Sequence, residues 1–257
     1  MRPLLVPAPN ANLVMVGEVD STNDVAARII AKWGAEEVEE RLADTVVVAG
    51  TQTAGRGRGS NVWRSPLGGV YATWIGWLKT DELTWLPLAA GVALAEAIEA
   101  AFPSCRLGLK WPNDVVVEGR KLGGVLAHSR IAGDAAWAVV GFGVNVEVEP
   151  RREASDRIVP VSLHTLGFPG RVGDVRWVIV GGFLRRLRPA LADPGEVRSR
   201  WVARSIHRRG EPMRVRVPDG EVAGEFIGYG PEGQLLLATG SGTRSLAAGE
   251  LVTPLQD

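Results

Sequence analysis

The chain has 257 residues, of which 46% are hydrophobic and 23% charged, an ordinary balance for a protein that buries a large core. The chain has 29 basic residues (Lys and Arg) and 29 acidic residues (Asp and Glu), so no net basic charge drives sequence-independent binding to nucleic acid. The single cysteine, Cys105, excludes an intramolecular disulfide and fits a reducing compartment. The proline-broken start does not match a secretion signal, and no apolar run of ~18 residues is evident. We therefore expect a cytoplasmic protein that does not bind membranes.

Residues 1–208 alternate between strand and helix patterns. β-branched and aromatic runs indicate strands, Ser21 offers a helix N-cap, and an alanine-rich segment ends just before Pro103, as a helix should. The predicted strands cover 13–16, 45–49, 70–77 and 136–145, with a hairpin over 115–127, and the predicted helices follow residue 21 and cover 86–101, 172–187 and 197–205. This pattern predicts an α/β domain.

The pattern changes near Gly210, where short strand-like runs are separated by turn residues. The predicted strands cover 214–217, 221–229, 235–238 and 243–246, and turns of the type Pro-Asp-Gly lie between them. Strands this short and this evenly spaced are typical of a small β-barrel. We therefore expect two domains, over 1–208 and 209–257.

A glycine-rich loop with two arginines follows the predicted strand 45–49. Arg56 and Arg58 alternate with Gly55, Gly57 and Gly59, so the backbone can approach a ligand while two guanidinium groups bind phosphate or carboxylate. No Gly-Lys-Ser/Thr follows, which excludes a Walker A loop. Two other interpretations stay open from the residues alone, a solvated surface loop and an RNA-binding Arg-Gly tract.

A second polar segment covers residues 110–114, Lys-Trp-Pro-Asn-Asp, and is followed by Lys121 before Gly123 and Gly124. A lysine beside small residues can reach a phosphate and a carboxylate together, and Asp114 could ligate a phosphate-bound metal. Equally, 110–114 could be a plain turn and Lys121 an exposed hairpin lysine.

The simplest interpretation of residues 21–23, Ser-Thr-Asn, is that they cap a helix. Their hydroxyl and amide groups also suit a small neutral polar ligand such as a ureido group. Residues 141–145 lack the third glycine of a dinucleotide-binding fingerprint. The histidines His128, His164 and His207 are isolated and give no metal-site spacing.

Taken in order, these segments resemble the biotin–protein ligases over most of the chain. The resemblance rests on 20–23, on 52–58 with Trp63 and 65–66, on 110–114, on 120–124 and on 141–145. It implies an α+β fold, with a mixed-sheet catalytic domain related to the cores of class II aminoacyl-tRNA synthetases and lipoate ligases, plus a small C-terminal SH3-like β-barrel.

The resemblance implies a two-step reaction in which ATP activates biotin as biotinyl-5′-AMP and a carrier-domain lysine then accepts the biotin. Arg58 and Lys121 would be catalytic, and Mg²⁺ would screen the phosphates, with Asp114 as the candidate ligand. The residues implied in biotin binding are Ser21, Thr22, Asn23, Gln52, Arg56, Gly57, Arg58, Lys121, Gly123 and Gly124. Those implied on the nucleotide side are Arg58, Trp63, Lys110, Asn113, Asp114, Lys121 and Asn145.

One departure from the family pattern concerns Ser60 and Asn61, which stand where a Gly-Arg pair is usual. Because the arginine guanidinium is missing there, we expect normal biotin binding but a weaker affinity for the nucleotide. Only about twenty residues precede Ser21, too few for the helix-turn-helix domain of some members, so we expect a monofunctional ligase that does not bind DNA.

The expected partner is the biotin carboxyl carrier domain of a biotin-dependent carboxylase, docked by strand addition at an exposed sheet edge. The same edge is a candidate for homodimer formation. Two rival functions remain open from the sequence, a lipoate-type ligase or octanoyl transferase, and a non-catalytic biotin-binding sensor.

Overall fold

The structure is a computed structural model that describes residues 11–34, 44–152, 158–168 and 170–252. In this part of the chain, two β-sheets pack with four α-helices. The first sheet contains β1 (Asn12–Val19), β2 (Thr45–Gln52), β3 (Gly69–Lys79), β4 (Gly108–Lys110), β5 (Asp114–Val117), β6 (Arg120–Ala132) and β7 (Ala135–Asn145). The helices are α1 (Thr22–Gly34), α2 (Leu86–Ala101), α3 (Val172–Ala192) and α4 (Pro194–Arg204), and a 3₁₀ helix (Thr80–Trp85) precedes α2.

The first sheet is mixed, with the strand order β1-β2-β3-β7-β6-β5-β4. Only β1 and β2 run parallel, since α1 carries the chain back between them, and the other neighbours are antiparallel. The sheet is therefore largely antiparallel. This confirms the α+β class that the resemblance implies, and not the α/β domain that the pattern of strands and helices predicts.

Helices cover both faces of this sheet. On one face α2 and α3 pack against β3 and β7, and Trp74, Leu94 and Phe183 are fully buried there. On the other face, α1 buries Ala26 and Ile30 against the sheet. All eleven residues of β7 are buried as a result.

The apolar character of α2 comes from this central position. The segment Thr80–Ala101 is long and apolar enough to span a membrane by length and composition, with a mean hydropathy of 1.3. The segment is not an uninterrupted apolar run, since it contains Asp81, Glu82, Glu96 and Glu99. In addition, 67% of its most apolar window is buried inside the fold, between the sheet and α3.

The second sheet contains β8 (Pro212–Val217), β9 (Gly220–Tyr229), β10 (Leu235–Thr239), β11 (Gly242–Leu246) and β12 (Glu250–Leu251), in the order β11-β10-β9-β8-β12. All its pairings are antiparallel. Its buried residues Val215, Leu235 and Leu237 join the same apolar core as α2 and α3. We call this sheet, with its turns, the C-terminal sheet.

Most strands extend beyond their predicted limits, and four elements differ for a specific reason. β4 and β12 have only three and two residues, too few for a recognisable alternation. Pro189 lies within α3, which continues to Ala192. α4 begins at Pro194 because the Asp193 carboxylate accepts a hydrogen bond from Glu196 N, and proline is well tolerated in a first helical turn. The domain division at residue 208 stays a prediction; it lies between the end of α4 and the start of β8.

Candidate functional site

The first part of the site is a hydrogen-bond relay at the start of α1. Ser21 caps the helix, since its Oγ accepts from Asn23 N at 3.2 Å. Thr22 donates from both its N and its Oγ1 to Gln52 Oε1, at 2.8 and 3.1 Å. Thr73 Oγ1 donates to Thr22 Oγ1 at 2.8 Å. Gln52 Nε2 in turn donates to Ser65 Oγ at 2.7 Å, so the Gln52 amide is fixed on both sides.

Asn23 lies at the inner end of this relay and is 6% exposed. Its Oδ1 is buried and makes no hydrogen bond within the described residues. Its amide lies directly on Gly141 of β7, where an added Cβ would approach Asn23 Nδ2 to 2.3 Å. A buried carbonyl oxygen without a donor is unfavourable alone and well suited to accept an N–H from a ligand.

The arginine loop, residues 55–63, closes on itself through its backbone. Trp63 N donates to Gly55 O at 2.9 Å, Gly57 N donates to Asn61 O at 2.8 Å, and Asn61 N donates to Arg58 O at 3.0 Å. Gly55 is required at the base, since a Cβ there would be 2.3 Å from Trp63 O. These bonds set the directions of the two arginines.

Arg56 and Arg58 point to different partners. Arg56 pairs with Asp24 in the first turn of α1, with an N–O distance of 2.7 Å. Arg58 Nη1 donates to Gly249 O of the C-terminal sheet at 2.7 Å. Burial lowers the pKa of Arg58, and the Asp114 and Glu250 carboxylates oppose this shift, so the guanidinium stays cationic. Arg58, rather than Arg56, therefore shares the surroundings of Asp114.

Lys121 lies next to this group on β6. Its Nζ is 2.6 Å from Asp114 Oδ1 on the neighbouring β5, and 5.2 Å from the centroid of the Trp63 ring. The indole rests on Gly143, where an added Cβ would be 2.4 Å from Trp63 Nε1. That Nε1 is buried without a hydrogen-bond partner in the described residues. The arginine loop, β5 and β6 thus bring two cations, one carboxylate and one indole together.

The remaining predicted residues support the site's framework. Gly123 faces Gly143, and a Cβ there would be 2.6 Å from Gly143 O, while Gly124 lies against Asn113 and Asp114. Asn113 Nδ2 donates to Val125 O at 2.8 Å, and Asn145 Nδ2 donates to Val161 O at 3.0 Å. Asn145 Oδ1, like Asn23 Oδ1, is buried without a partner among the described residues.

Lys110 is the predicted site residue with the least direct connection to this group. It is 8% exposed and lies at the end of β4, close enough to His207 to lower the pKa of that imidazole. The structure therefore associates Lys110 with the link to the C-terminal sheet.

Two clefts flank the arginine loop. The larger, of about 490 Å³, is bordered by Gln52, Trp63 and Ser65, together with Glu18 and Arg151. The smaller, of about 370 Å³, lies between the loop and the β6 residues Leu126 and His128. Burial and the charge of Arg56 lower the pKa of His128, against the opposing effect of Asp24. Both clefts have loop residues in their walls, so a movement of the loop would change both.

The residues that the sequence analysis missed are Asp24, Thr73, Ser65 as the Gln52 partner, and Gly249. Asp24 had no local signal, since it lies 32 residues from Arg56. Gly249 had no local signal either, since it lies 191 residues from Arg58.

The donor set does not fit a resident metal ion. No group of three or more His, Cys, Asp or Glu side chains forms a potential metal cluster within the residues that the structure describes. Asp114 is in an ion pair with Lys121. A single carboxylate engaged by a lysine is a weak ligand set for a dedicated metal site.

Arg58 and Lys121 lie together with Asp114 at one end of a mixed sheet that has helices on both faces, an arrangement suited to an enzyme that binds anionic substrates. Comparisons with known proteins agree. The model of the Biotin/lipoate A/B protein ligase family matches residues 17–145. The biotin–[acetyl-CoA-carboxylase] ligases of Paracoccus denitrificans and Mycobacterium tuberculosis are 31% and 32% identical, over 92% and 93% of this chain and 98% and 88% of theirs.

A solved structure supports the same assignment. The biotin protein ligase from Aquifex aeolicus in complex with biotin and ATP is 28% identical, with a TM-score of 0.70 over 93% of this chain and 97% of its own. The chain belongs to the Biotin/lipoate A/B protein ligase family. Within that family its activity is that of a biotin–protein ligase.

Proposed function

We propose that the group around Lys121 and Arg58 activates biotin with ATP as biotinyl-5′-AMP and passes the biotin to a lysine of a carboxylase carrier domain. The observation that carries this proposal is the convergence of Lys121, Arg58 and Trp63 on the end of the sheet that also holds the Thr22–Gln52 relay. A polar pocket for a neutral head group thus adjoins a cationic region for two anions.

The first step joins two groups of like charge. An oxygen of the biotin carboxylate attacks the α-phosphorus of ATP, an acyl–phosphate bond forms, and pyrophosphate leaves. Lys121 is suited to neutralise both anions at that point, exchanging its contact with Asp114 for ligand oxygens. Arg58 would stabilise negative charge developing on the phosphate. In the second step the uncharged amine of the acceptor lysine attacks the acyl carbon and AMP leaves.

The biotin head group fits the relay at the start of α1. Ser21, Thr22 and Gln52 supply hydroxyl and amide groups, and Asn23 Oδ1 supplies an acceptor for a ureido N–H. We assign Gly57, Gly123 and Gly124 to the wall around the biotin, where the lack of a Cβ lets neighbouring main chain pack closely. Arg56 would hold the loop to α1 through Asp24. We assign Trp63 and Asn145 to the nucleotide side, on which Lys110 and Asn113 would act by shaping the 110–114 turn.

Magnesium enters this proposal as the counter-ion of ATP. Mg²⁺ commonly binds through substrate phosphates and one or two carboxylates, keeping several waters. Asp114 is the carboxylate nearest to Lys121, and its role as a metal ligand remains a prediction.

The acceptor would dock at the free edge of β6. β5 pairs with β6 only over residues 120–124, whereas β7 pairs with residues 123–132 on the other side. The outer edge of residues 126–132 therefore has no neighbouring strand within the described residues, and an extended segment can add there through main-chain hydrogen bonds. The same edge supports a homodimer as the competing use.

We also infer a cytoplasmic location and no nucleic-acid partner. Cys105 is a buried free thiol, as expected in a reducing compartment, and the balanced charge gives no general attraction to DNA.

The decisive experiment compares wild type, Lys121→Ala and Arg120→Ala. Arg120 is the matched control because it adjoins Lys121 but pairs with the exposed Glu118. Biotin-dependent exchange of pyrophosphate into ATP measures the first step, and transfer to a carrier domain measures both. We expect Lys121→Ala to lose about 10²–10³-fold in rate and Arg120→Ala to match wild type.

Other outcomes identify the rival functions. Biotin binding by wild type without pyrophosphate exchange would indicate a sensor. Exchange that depends on lipoic or octanoic acid instead of biotin would indicate a lipoate-type ligase.

A further inference from the structure

His207 lies in the segment that joins α4 to the C-terminal sheet. Its side chain is only 2% exposed, and its ring packs 5.8 Å from the Phe226 ring of β9. The backbone beside it is held as well, since His207 N donates to Ser205 Oγ at 3.2 Å and Ser205 Oγ meets Tyr229 Oη at 2.8 Å. The imidazole is therefore rigidly placed.

This imidazole contacts the 110–114 turn directly. His207 Nε2 accepts a hydrogen bond from Trp111 N at 3.3 Å, across 96 residues of sequence. Trp111 begins the turn between β4 and β5, and that turn ends at Asp114, the carboxylate bonded to Lys121 Nζ. A side chain outside the site thus holds the main chain that presents Asp114.

The protonation state of His207 suits this role. Nε2 can accept only if it carries no proton, which leaves the proton on Nδ1, 3.6 Å from Glu211 Oε2. Burial and the nearby Lys110 lower the pKa of His207 to about 4, although Glu211 acts in the opposite direction. The acceptor is therefore available at neutral pH.

We propose that His207 is a positioning residue for the activation of biotin, fixing the 110–114 turn through Trp111 N so that Asp114 and Lys121 keep their relative placement. The inference rests on the proposed roles of Lys121 and Asp114. It also gives the C-terminal sheet a part in the first step, because His207 is held by residues of β9.

The test uses His207→Phe and His207→Gln. Phenylalanine keeps a ring against Phe226 but has no acceptor, whereas the Oε1 of glutamine reaches about as far from the backbone as Nε2. His164→Gln, at an exposed histidine, is the control. In biotin-dependent pyrophosphate exchange we expect His207→Phe to lose about tenfold in kcat with little change in KM for biotin, and His207→Gln to stay within about threefold of wild type.

Hydrogen–deuterium exchange over residues 108–115 provides a readout that does not depend on catalysis. We expect His207→Phe to exchange faster at Trp111 N, and His207→Gln to retain protection. The proposal is overturned if His207→Phe keeps the wild-type kcat, if its Trp111 amide stays protected, or if His207→Gln is as slow as His207→Phe at equal thermal stability. Failure of the proposed function differs from these outcomes, since wild type itself would then show no exchange of pyrophosphate.

Discussion

Gly141 and Gly143 of β7 each make room for one side chain of the site. Asn23 lies on the first and Trp63 on the second, and neither contact leaves space for a Cβ. Both glycines lie within a strand, where glycine is otherwise unfavourable. They are needed here because the absence of a Cβ leaves space above the sheet for these two side chains.

Replacing Gly141 with alanine should therefore impair biotin binding. The new Cβ would lie 2.3 Å from Asn23 Nδ2, and the Asn23 amide would have to move. We expect biotin affinity to fall about tenfold, the loss of roughly one hydrogen bond, measured by isothermal titration calorimetry. Gly17→Ala, at a strand glycine with nothing within 4 Å, is the control and should bind normally. Equal affinities for the two variants would contradict the role given to Asn23.

At the scale of elements, the arginine loop carries the departure noted at Ser60 and Asn61. Asn61 contributes its N and its O to the bonds that close the loop, and its side chain is exposed. A longer side chain can therefore be added without opening the loop.

Asn61→Arg should tighten ATP binding and leave biotin binding unchanged, because it adds a guanidinium near the predicted phosphate position. We expect KM for ATP to fall about three- to tenfold, the range of one exposed or partly buried charge contact. Val62→Arg adds the same charge one residue further along, at a side chain that is already 68% exposed, and should have less effect. An unchanged KM for ATP in Asn61→Arg would show that the missing arginine does not limit nucleotide affinity.

A second element-scale feature is the cluster of charges that joins three helices. Glu96 of α2 pairs with Arg186 of α3 at 3.8 Å, and with Arg200 and Arg204 of α4. Glu99 adds a 3.2 Å contact to Arg204. These side chains are 16–29% exposed, so water screens the pairs only in part.

Removing Glu96 should destabilise the fold without affecting ligand binding. Glu96→Ala leaves three arginines with less compensation, and we expect the free energy of unfolding to fall by about 1–3 kcal/mol, below the value for a fully buried pair. Urea denaturation measures this change, and biotin affinity should remain at the wild-type value. Asp219→Ala, in an exposed turn, should leave both quantities unaltered.

On the scale of the whole molecule, acidification should weaken the fold through His207. The folded protein lowers the pKa of this imidazole to about 4, from an ordinary value of 6.5. Between these two pH values the unfolded chain binds a proton that the folded chain does not, so stability decreases as pH falls through this window. The contribution is on the order of 1–3 kcal/mol between pH 7 and pH 4.

Urea titrations at pH 7 and pH 4.5 measure this effect. We expect the wild type to lose more free energy of unfolding than His207→Gln does over the same interval. If both proteins lose the same amount, other groups account for the acid sensitivity.

Sequence patterns predicted the site best where its parts are close along the chain. Lys121 and Asp114 lie on adjacent strands of one hairpin, and Ser21 to Asn23 lie in one helix start, so local patterns brought them together. The partners that fix the arginines could not be found in this way. Arg56 reaches Asp24 across 32 residues and Arg58 reaches Gly249 across 191.

The same distinction holds for the fold. Long strands and helices such as β7 and α2 carry clear apolar patterns, and their predicted limits lie close to the observed ones. The order of strands in the sheet depends on contacts between distant segments, and β4 and β12 are too short to carry a pattern. The packing of the C-terminal sheet on the main core likewise has no local signature.

The bond between Arg58 and Gly249 also has a consequence for synthesis. A ribosome adds about 5–20 residues per second, so the codon for Gly249 is translated about 10–40 s after that for Arg58. During this interval the growing chain carries its arginine loop without the carbonyl that orients Arg58. We therefore expect a nascent chain that has not yet reached Gly249 to lack the complete group proposed to bind ATP.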